Sequence, residues 1–175
     1  MHDFNAYESL KSIYINGFSG IKDPILFDYK LLEESARKKL KKAYFDYIFT
    51  GAGNHAGVSN NESSFKTFSI VPRMASGKHK VKLESDILNT KLPVPLLFAP
   101  IGVLELVHSA ADLELAKTSL ELQIPMIFSS QASIPMEKVS SLLNQTDRWF
   151  QLYFGKSYEL VESFVHRAES CGHKA

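Results

Sequence analysis

Three short apolar runs, each followed by a stretch of helical texture, recur through the second half of this 175-residue chain. They are Pro95-Leu-Leu-Phe-Ala-Pro100, Pro125-Met-Ile-Phe-Ser-Ser130 and Trp149-Phe-Gln-Leu-Tyr153. The helical stretches cover Ala110–Leu122, about Pro135 to Leu143, and Ser157–Ser170. The runs begin about 30 and then about 24 residues apart, the repeat length of a βα unit. A run that is apolar throughout suits a strand covered on both faces. Such strands alternating with amphipathic helices build a parallel sheet or barrel, so the expected class is α/β.

The first 90 residues have a different texture. Residues 1–30 are rich in Tyr, Phe, Gly and Ile without a clean period, and Gly17, Gly20 and Pro24 punctuate them, which predicts an irregular aromatic arm. From Lys30 to Phe49 the spacing predicts one helix, with Leu32, Ala36, Leu40, Ala43, Tyr44, Tyr47 and Ile48 on its apolar face. Arg37, Lys38, Lys41 and Lys42 fall on its other sides and read as a solvated face. Thr50-Gly51-Ala52-Gly53-Asn54 stops it. Residues 54–64 read as a polar loop or a helix start. Lys66–Val71 is expected to be a short strand ended by Pro72, and Lys78–Leu83 an exposed strand. The expected division is therefore 1–90, an arm, helix and small β segment, and 91–175, three βα units.

Composition narrows the function. Twenty Lys and Arg against nineteen Asp and Glu give a formal charge of +1, without the basic excess of a nucleic-acid binder. One cysteine excludes a disulfide framework and a thiolate zinc cluster, and suits a reducing compartment. The most apolar stretch, Leu92–Val107, is too short for a membrane span and contains Pro93, Pro95, Pro100 and Glu105. No secretory signal is visible at Met1-His-Asp-Phe-Asn-Ala6. The expectation is a cytoplasmic protein without membrane or nucleic-acid partners.

In parallel α/β folds ligands bind at the carboxyl ends of the strands. The first run ends at Ala99-Pro100-Ile101-Gly102, where backbone groups can approach a flat ring closely. The second ends at Ser129-Ser130 and the third at Gln151-Leu152-Tyr153. A serine hydroxyl and a glutamine amide are neutral groups that can read the polar edge of an uncharged heterocycle. Tyr153 can hold a carboxylate or carbonyl oxygen. Each has a plainer reading. Ser129 and Ser130 alone suit strand-end caps, Tyr153 suits core or site equally, and Tyr47 by position alone belongs to the core. Gln151 in an apolar strand is harder to dismiss, because a buried amide needs partners.

Other motifs fail. Gly51-Ala52-Gly53 follows a helix where a dinucleotide fingerprint follows a strand. There is no Gly-x-Ser-x-Gly elbow and no P-loop lysine. The six histidines show no metal-ligand spacing with carboxylates or with Cys171, so no metal is expected. His108 reads as a capping or packing residue, and Cys171 as a small buried apolar one.

Taken together, the strand ends resemble the FMN-dependent α-hydroxy acid oxidase and dehydrogenase family, and within it the lactate oxidase and lactate 2-monooxygenase branch. Tyr14-Ile-Asn-Gly17 with Gly20 resembles its N-terminal arm, and Phe45-Asp46-Tyr47-Ile48 with Gly51-Ala52-Gly53 the family's "YDY-x-x-x-GA" segment. Asn61, Phe65 and Pro72-Arg73-Met74 follow in order. Ala99-Pro100-Ile101-Gly102-Val103, Ser129-Ser130-Gln131-Ala132 and Trp149-Phe150-Gln151-Leu152-Tyr153 complete the set.

The resemblance implies the N-terminal portion of a (β/α)8 TIM barrel behind an N-terminal helical arm and small β segment. It implies FMN as cofactor, with Pro100, Ile101 and Gly102 along the isoalloxazine ring and Ser129 and Gln151 on its polar edge. It assigns Tyr47 and Tyr153 to the substrate, which moves Tyr47 out of the core. The implied reaction is oxidation of a small L-2-hydroxy acid, with lactate expected, in a homo-oligomer. Two details depart from the pattern: Asn54-His55 replace an acidic pair, and His108-Ser109-Ala110-Ala111-Asp112 replaces "HP-x-GE". The family's catalytic histidine, substrate arginines, flavin lysine and glycine-rich phosphate site all follow the segment matched here, so no catalytic residue is assigned in this chain. The expectation is a partial form, inactive alone. The alternatives are one half of a split enzyme completed by a partner chain, or a non-catalytic remnant.

Overall fold

The structure, a computed structural model, describes residues 6–22, 28–77, 82–143 and 146–175. The chain forms two compact units, one running to Ser63 and one from Ser64 to Ala175. No helix among the described residues is long and apolar enough to cross a membrane.

The first unit is helical, with α1 (Ala6–Phe18), α2 (Tyr29–Lys39), α3 (Lys42–Phe49) and α4 (Ala56–Ser64). The arm expected to be irregular contains α1. The carboxylate of Asp28 caps α2 by accepting from the amides of Lys30 at 2.9 Å and Leu31 at 3.1 Å. The single helix expected over Lys30–Phe49 is two, because Leu40 and Lys41 adopt extended backbone between them. That break resets the helical phase, so the residue buried in α3 is Phe45 and not the expected stripe. Phe45 stacks on Phe49 with ring centroids 5.4 Å apart, and the Arg37 guanidinium lies 4.2 Å over the Phe45 ring. Tyr47 is 68% exposed, which removes it from the core.

In the second unit, β1 (Ser85–Ile87) and β2 (Thr90–Leu92) form an antiparallel hairpin. Leu88 and Asn89 both have positive φ, the geometry of a type I′ turn, whose twist matches the strands it joins. Lys66–Val71 forms no strand: Phe68, Ile70 and Val71 are exposed, and alternation without a pairing partner cannot hold a strand. The strand expected at Lys78–Leu83 falls largely outside the described residues, and Lys82 and Leu83 are not in one.

The three runs do line up in parallel. Strand β3 (Met126–Ser129) pairs with β4 (Arg148–Gln151) in parallel register, Ile127 opposite Trp149 and Ser129 opposite Gln151. The first run contributes a single bridge from Phe98 to Met126 and no extended strand. Pro95 and Pro100 lack the N–H groups that a longer ladder needs. Phe98 donates to Pro125 O and accepts from the Ile127 amide, each at 3.0 Å. On the far side of β4, Lys174 N donates to Arg148 O at 2.9 Å and Phe150 N to Ala175 O at 2.7 Å. Four segments thus lie side by side in chain order.

Helices α5 (Ala111–Leu122), α6 (Met136–Ser140) and α7 (Tyr158–Ser170) are the crossovers. Side chains alternate across a strand. Met126 and Phe128 turn toward the helices, where they form the core with Ala116, Met136, Val139, Leu143 and Ala168, and Phe150 stacks on Phe164 of α7. Ile127, Ser129, Trp149 and Gln151 are left for the other face. There the Trp149 indole N–H donates to the hydroxyl of Thr90, so the hairpin is tied to the amino end of β4. Gly172, at φ +76°, ends α7 in a Schellman turn, with Gly172 N donating to Glu169 O and His173 N to Ala168 O. This turn returns the chain alongside β4.

Candidate flavin-edge site

The site grows from the register. Ser129 and Gln151 are the last residues of β3 and β4 and directly face each other, so their side chains emerge on one face at the carboxyl edge. The Ser129 hydroxyl donates to Gln151 Oε1 at 3.1 Å, and its oxygen accepts from the Gln131 amide at 3.1 Å. With its oxygen engaged, the Gln151 amide group keeps its NH2 without a partner among the described residues. Ser129 is buried and Gln151 half-buried. Beside them the Ser130 hydroxyl is buried with no hydrogen-bond partner.

The loop after the first run closes against the loop that follows Ser129. Val103 N donates to Gln131 O at 2.9 Å and Glu105 N to Ser133 Oγ at 3.1 Å. Gly102 permits the approach, since a Cβ there would stand 2.8 Å from Gln131 Cβ. Val103 takes a left-handed conformation at φ +54° and leads into a 3-10 turn, Leu104–Leu106. Pro100 and Gly102 are half-buried and Ile101 is exposed.

A carboxylate missed from the sequence holds the second loop. Asp112, in the first turn of α5 and 3% exposed, accepts from the amides of Ser133 at 3.1 Å and Ile134 at 3.2 Å. Burial pushes its carboxyl up, against the pull of those two N–H bonds. An acid at a helix start is a visible signal, but partners 21 and 22 residues onward are not.

Of the residues expected at the site, Ser129 and Gln151 bond each other directly, and Gly102 lies against Gln131, which is bonded to Ser129; Pro100 and Ile101 precede Gly102 in its loop. Tyr153, 60% exposed, follows β4 by two residues. Tyr47 lies on α3 of the other unit. His108 accepts from the Ala110 amide at 3.3 Å through Nδ1, a local capping role. Cys171 is half-buried against the core.

A parallel βα array with neutral hydrogen-bonding side chains at adjacent strand ends is the arrangement of α/β folds, whose ligand sites lie at the carboxyl ends of the strands. The chain belongs to the FMN-dependent dehydrogenase family, whose sequence profile matches residues 36–175. It is 34% identical over 144 residues to an L-lactate oxidase of Lysinibacillus sphaericus, covering 82% of this chain and 37% of that protein. An L-lactate oxidase of a Nostoc species is 31% identical over 161 residues, covering 90% and 43%. A 2-hydroxyacid oxidase of Dictyostelium discoideum is 28% identical, covering 98% and 42%. A mandelate oxidase solved with (S)-2-phenylpropionate superposes with a TM-score of 0.77 at 26% identity, over 85% of this chain and 44% of that one. The chain thus spans about two fifths of the length of the relatives it matches.

The residues at the strand ends suit the uncharged ring of the family's cofactor. The Gln151 NH2 is free to donate, the Ser130 hydroxyl lacks a partner, and both are uncharged, as the edge of a neutral heterocycle requires.

Proposed function

We propose that this chain carries the ring-edge portion of an FMN-dependent oxidase acting on a small L-2-hydroxy acid, lactate first among candidates. The observation that carries the proposal is the Ser129–Gln151 hydrogen bond, which leaves the amide NH2 of half-buried Gln151 at the carboxyl edge of the paired strands. FMN in such an enzyme accepts the hydride equivalent from the hydroxyl-bearing carbon. The chain's own residues would hold the ring: Gln151, kept in place by Ser129, would donate to its polar edge, and the backbone of Pro100, Ile101 and Gly102 would flank it. Tyr153 would receive the substrate's carboxylate or hydroxyl, and Tyr47 carries the same role by family resemblance alone. The lactate oxidase branch draws support from the two L-lactate oxidases among the relatives.

None of these groups is a base able to take the substrate's proton. We therefore expect the 175-residue polypeptide to bind a flavin ring weakly and to give no lactate turnover without a further chain. The test is a titration of the purified protein with riboflavin, which presents the ring without the phosphate. Saturable quenching of riboflavin fluorescence, weakened by Gln151→Leu, supports the proposal. Absence of quenching, or quenching indifferent to Gln151→Leu, would sink it, and lactate turnover by the chain alone would overturn the expected dependence on a further chain.

A further inference from the structure

We infer that Asp112 is the positioning residue that sets the separation between the two strand-end loops, 101–105 and 129–134. The functional weight of this inference rests on the ring-edge reading of Ser129 and Gln151. Asp112 stands in α5, away from the strand ends themselves, yet it holds the same loop to which the 101–105 loop is tied, and one of those ties runs through a residue it binds directly. Its carboxylate accepts from Ser133 N and Ile134 N. Ser133, so held, presents its hydroxyl oxygen to Glu105 N. Two residues before it, Gln131 O accepts from Val103 N, and Gln131 N is itself bound to Ser129 Oγ. The chain of contacts therefore leads from a buried carboxylate to the hydroxyl that orients Gln151.

The chemistry favours a clamp over a packing residue. A packing position at 3% exposure would be filled without cost by an apolar side chain. A carboxylate there loses hydration, and Glu105, its charged neighbour, raises the cost further. Burying it is worthwhile only for the two N–H groups it satisfies, which belong to half-buried residues and would otherwise lose this partner. Both N–H groups belong to the loop that presses on Gly102, where no room remains for even a methyl group.

The experiment compares Asp112→Ala and Asp112→Asn with the unaltered chain, using amide hydrogen exchange without flavin and riboflavin quenching in parallel. Asp112→Ala is expected to lower protection at Val103, Glu105 and Gln131 by about tenfold, the loss expected when a charge-assisted pair disappears. Protection at Phe98 and Ile127, in the neighbouring ladder, is expected to persist. Riboflavin affinity is expected to fall by about tenfold in parallel. Asp112→Asn, which keeps an acceptor oxygen for both amides, restores most of the protection and affinity. Uniform loss of protection that includes Phe98 and Ile127 in both variants would overturn the inference, reducing Asp112 to a core residue. So would unchanged exchange at Val103 and Gln131 in Asp112→Ala. If exchange responds as expected but the unaltered chain never quenches riboflavin, the ring-edge reading fails while the clamp stands.

Discussion

The indole N–H of Trp149 donates to the hydroxyl of Thr90 at 3.1 Å, across 59 residues of sequence. Thr90 is fully buried, so this hydroxyl has no access to solvent. It anchors the hairpin to the strand whose other end carries Gln151.

Replacing Thr90 by Val keeps the shape and removes the acceptor, leaving the indole donor unpaired. We expect a loss of about 1–3 kcal/mol, measured by urea unfolding. Thr90→Ser is expected to retain most of the stability. Equal midpoints for the Val and Ser variants would show that the bond contributes nothing net.

Ser129→Ala and Gln151→Leu remove the two members of the pair separately. Ser129→Ala frees both Gln151 Oε1 and the Gln131 amide, because the one hydroxyl serves both. Riboflavin binding is expected to weaken by about tenfold in each, the scale of one buried hydrogen bond. Their combination should cost less than the sum, since the two act through one contact. Fluorescence titrations of both single variants and the double variant measure this. Strict additivity would argue against a coupled pair.

Gly102→Ala places a methyl group 2.8 Å from Gln131 Cβ and 3.4 Å from Gln131 O. The two loops must part, at a cost of about 1–3 kcal/mol for overpacking. Amide exchange should show the loosening at Val103, whose N–H donates to Gln131 O. Protection at Val103 equal to that of the unaltered chain would show that the loops absorb the methyl group.

His173 gives the unit a pH dependence. Burial, reinforced by the Arg148 charge, lowers its pKa from 6.5 to about 4. The neutral ring lies against Phe128 and Phe150 with its buried Nε2 unpaired. Between these two values the unfolded chain binds the proton more readily than the folded one. Stability is therefore complete above about pH 6.5 and falls as pH drops toward about 4. Urea unfolding across this window should show the decline, and His173→Phe should flatten it. An equally steep decline in the variant would assign the effect to another group.

The parts of the fold legible in the sequence are those where burial leaves a local trace. The runs at Met126–Ser129 and Arg148–Gln151 and the helices Ala111–Leu122 and Tyr158–Ser170 emerge near their expected limits, because each packs a regular set of apolar residues. The break at Leu40–Lys41 carries no Gly or Pro to announce it, so the pattern over residues 30–49 reads as one helix. The hairpin at Ser85–Leu92 escapes for a related reason: its turn uses Leu88 and Asn89 where glycine is the usual sign.

Ser129 and Gln151 stand out in sequence as polar groups ending apolar runs, and the resemblance to a known family gives them a role. That they face each other depends on the register of β3 on β4, which a one-residue slip would undo. The order of βα units and the chemistry at each strand end follow from the sequence alone, because hydrophobic period and residue type are local properties. The pairing of Ser129 with Gln151, the hold of Asp112 on Ser133 and Ile134, and the exposure of Tyr47 were decided only by tertiary structure. Hydrogen bonds between distant segments, and the burial that makes them necessary, exist only once the strands and helices have packed.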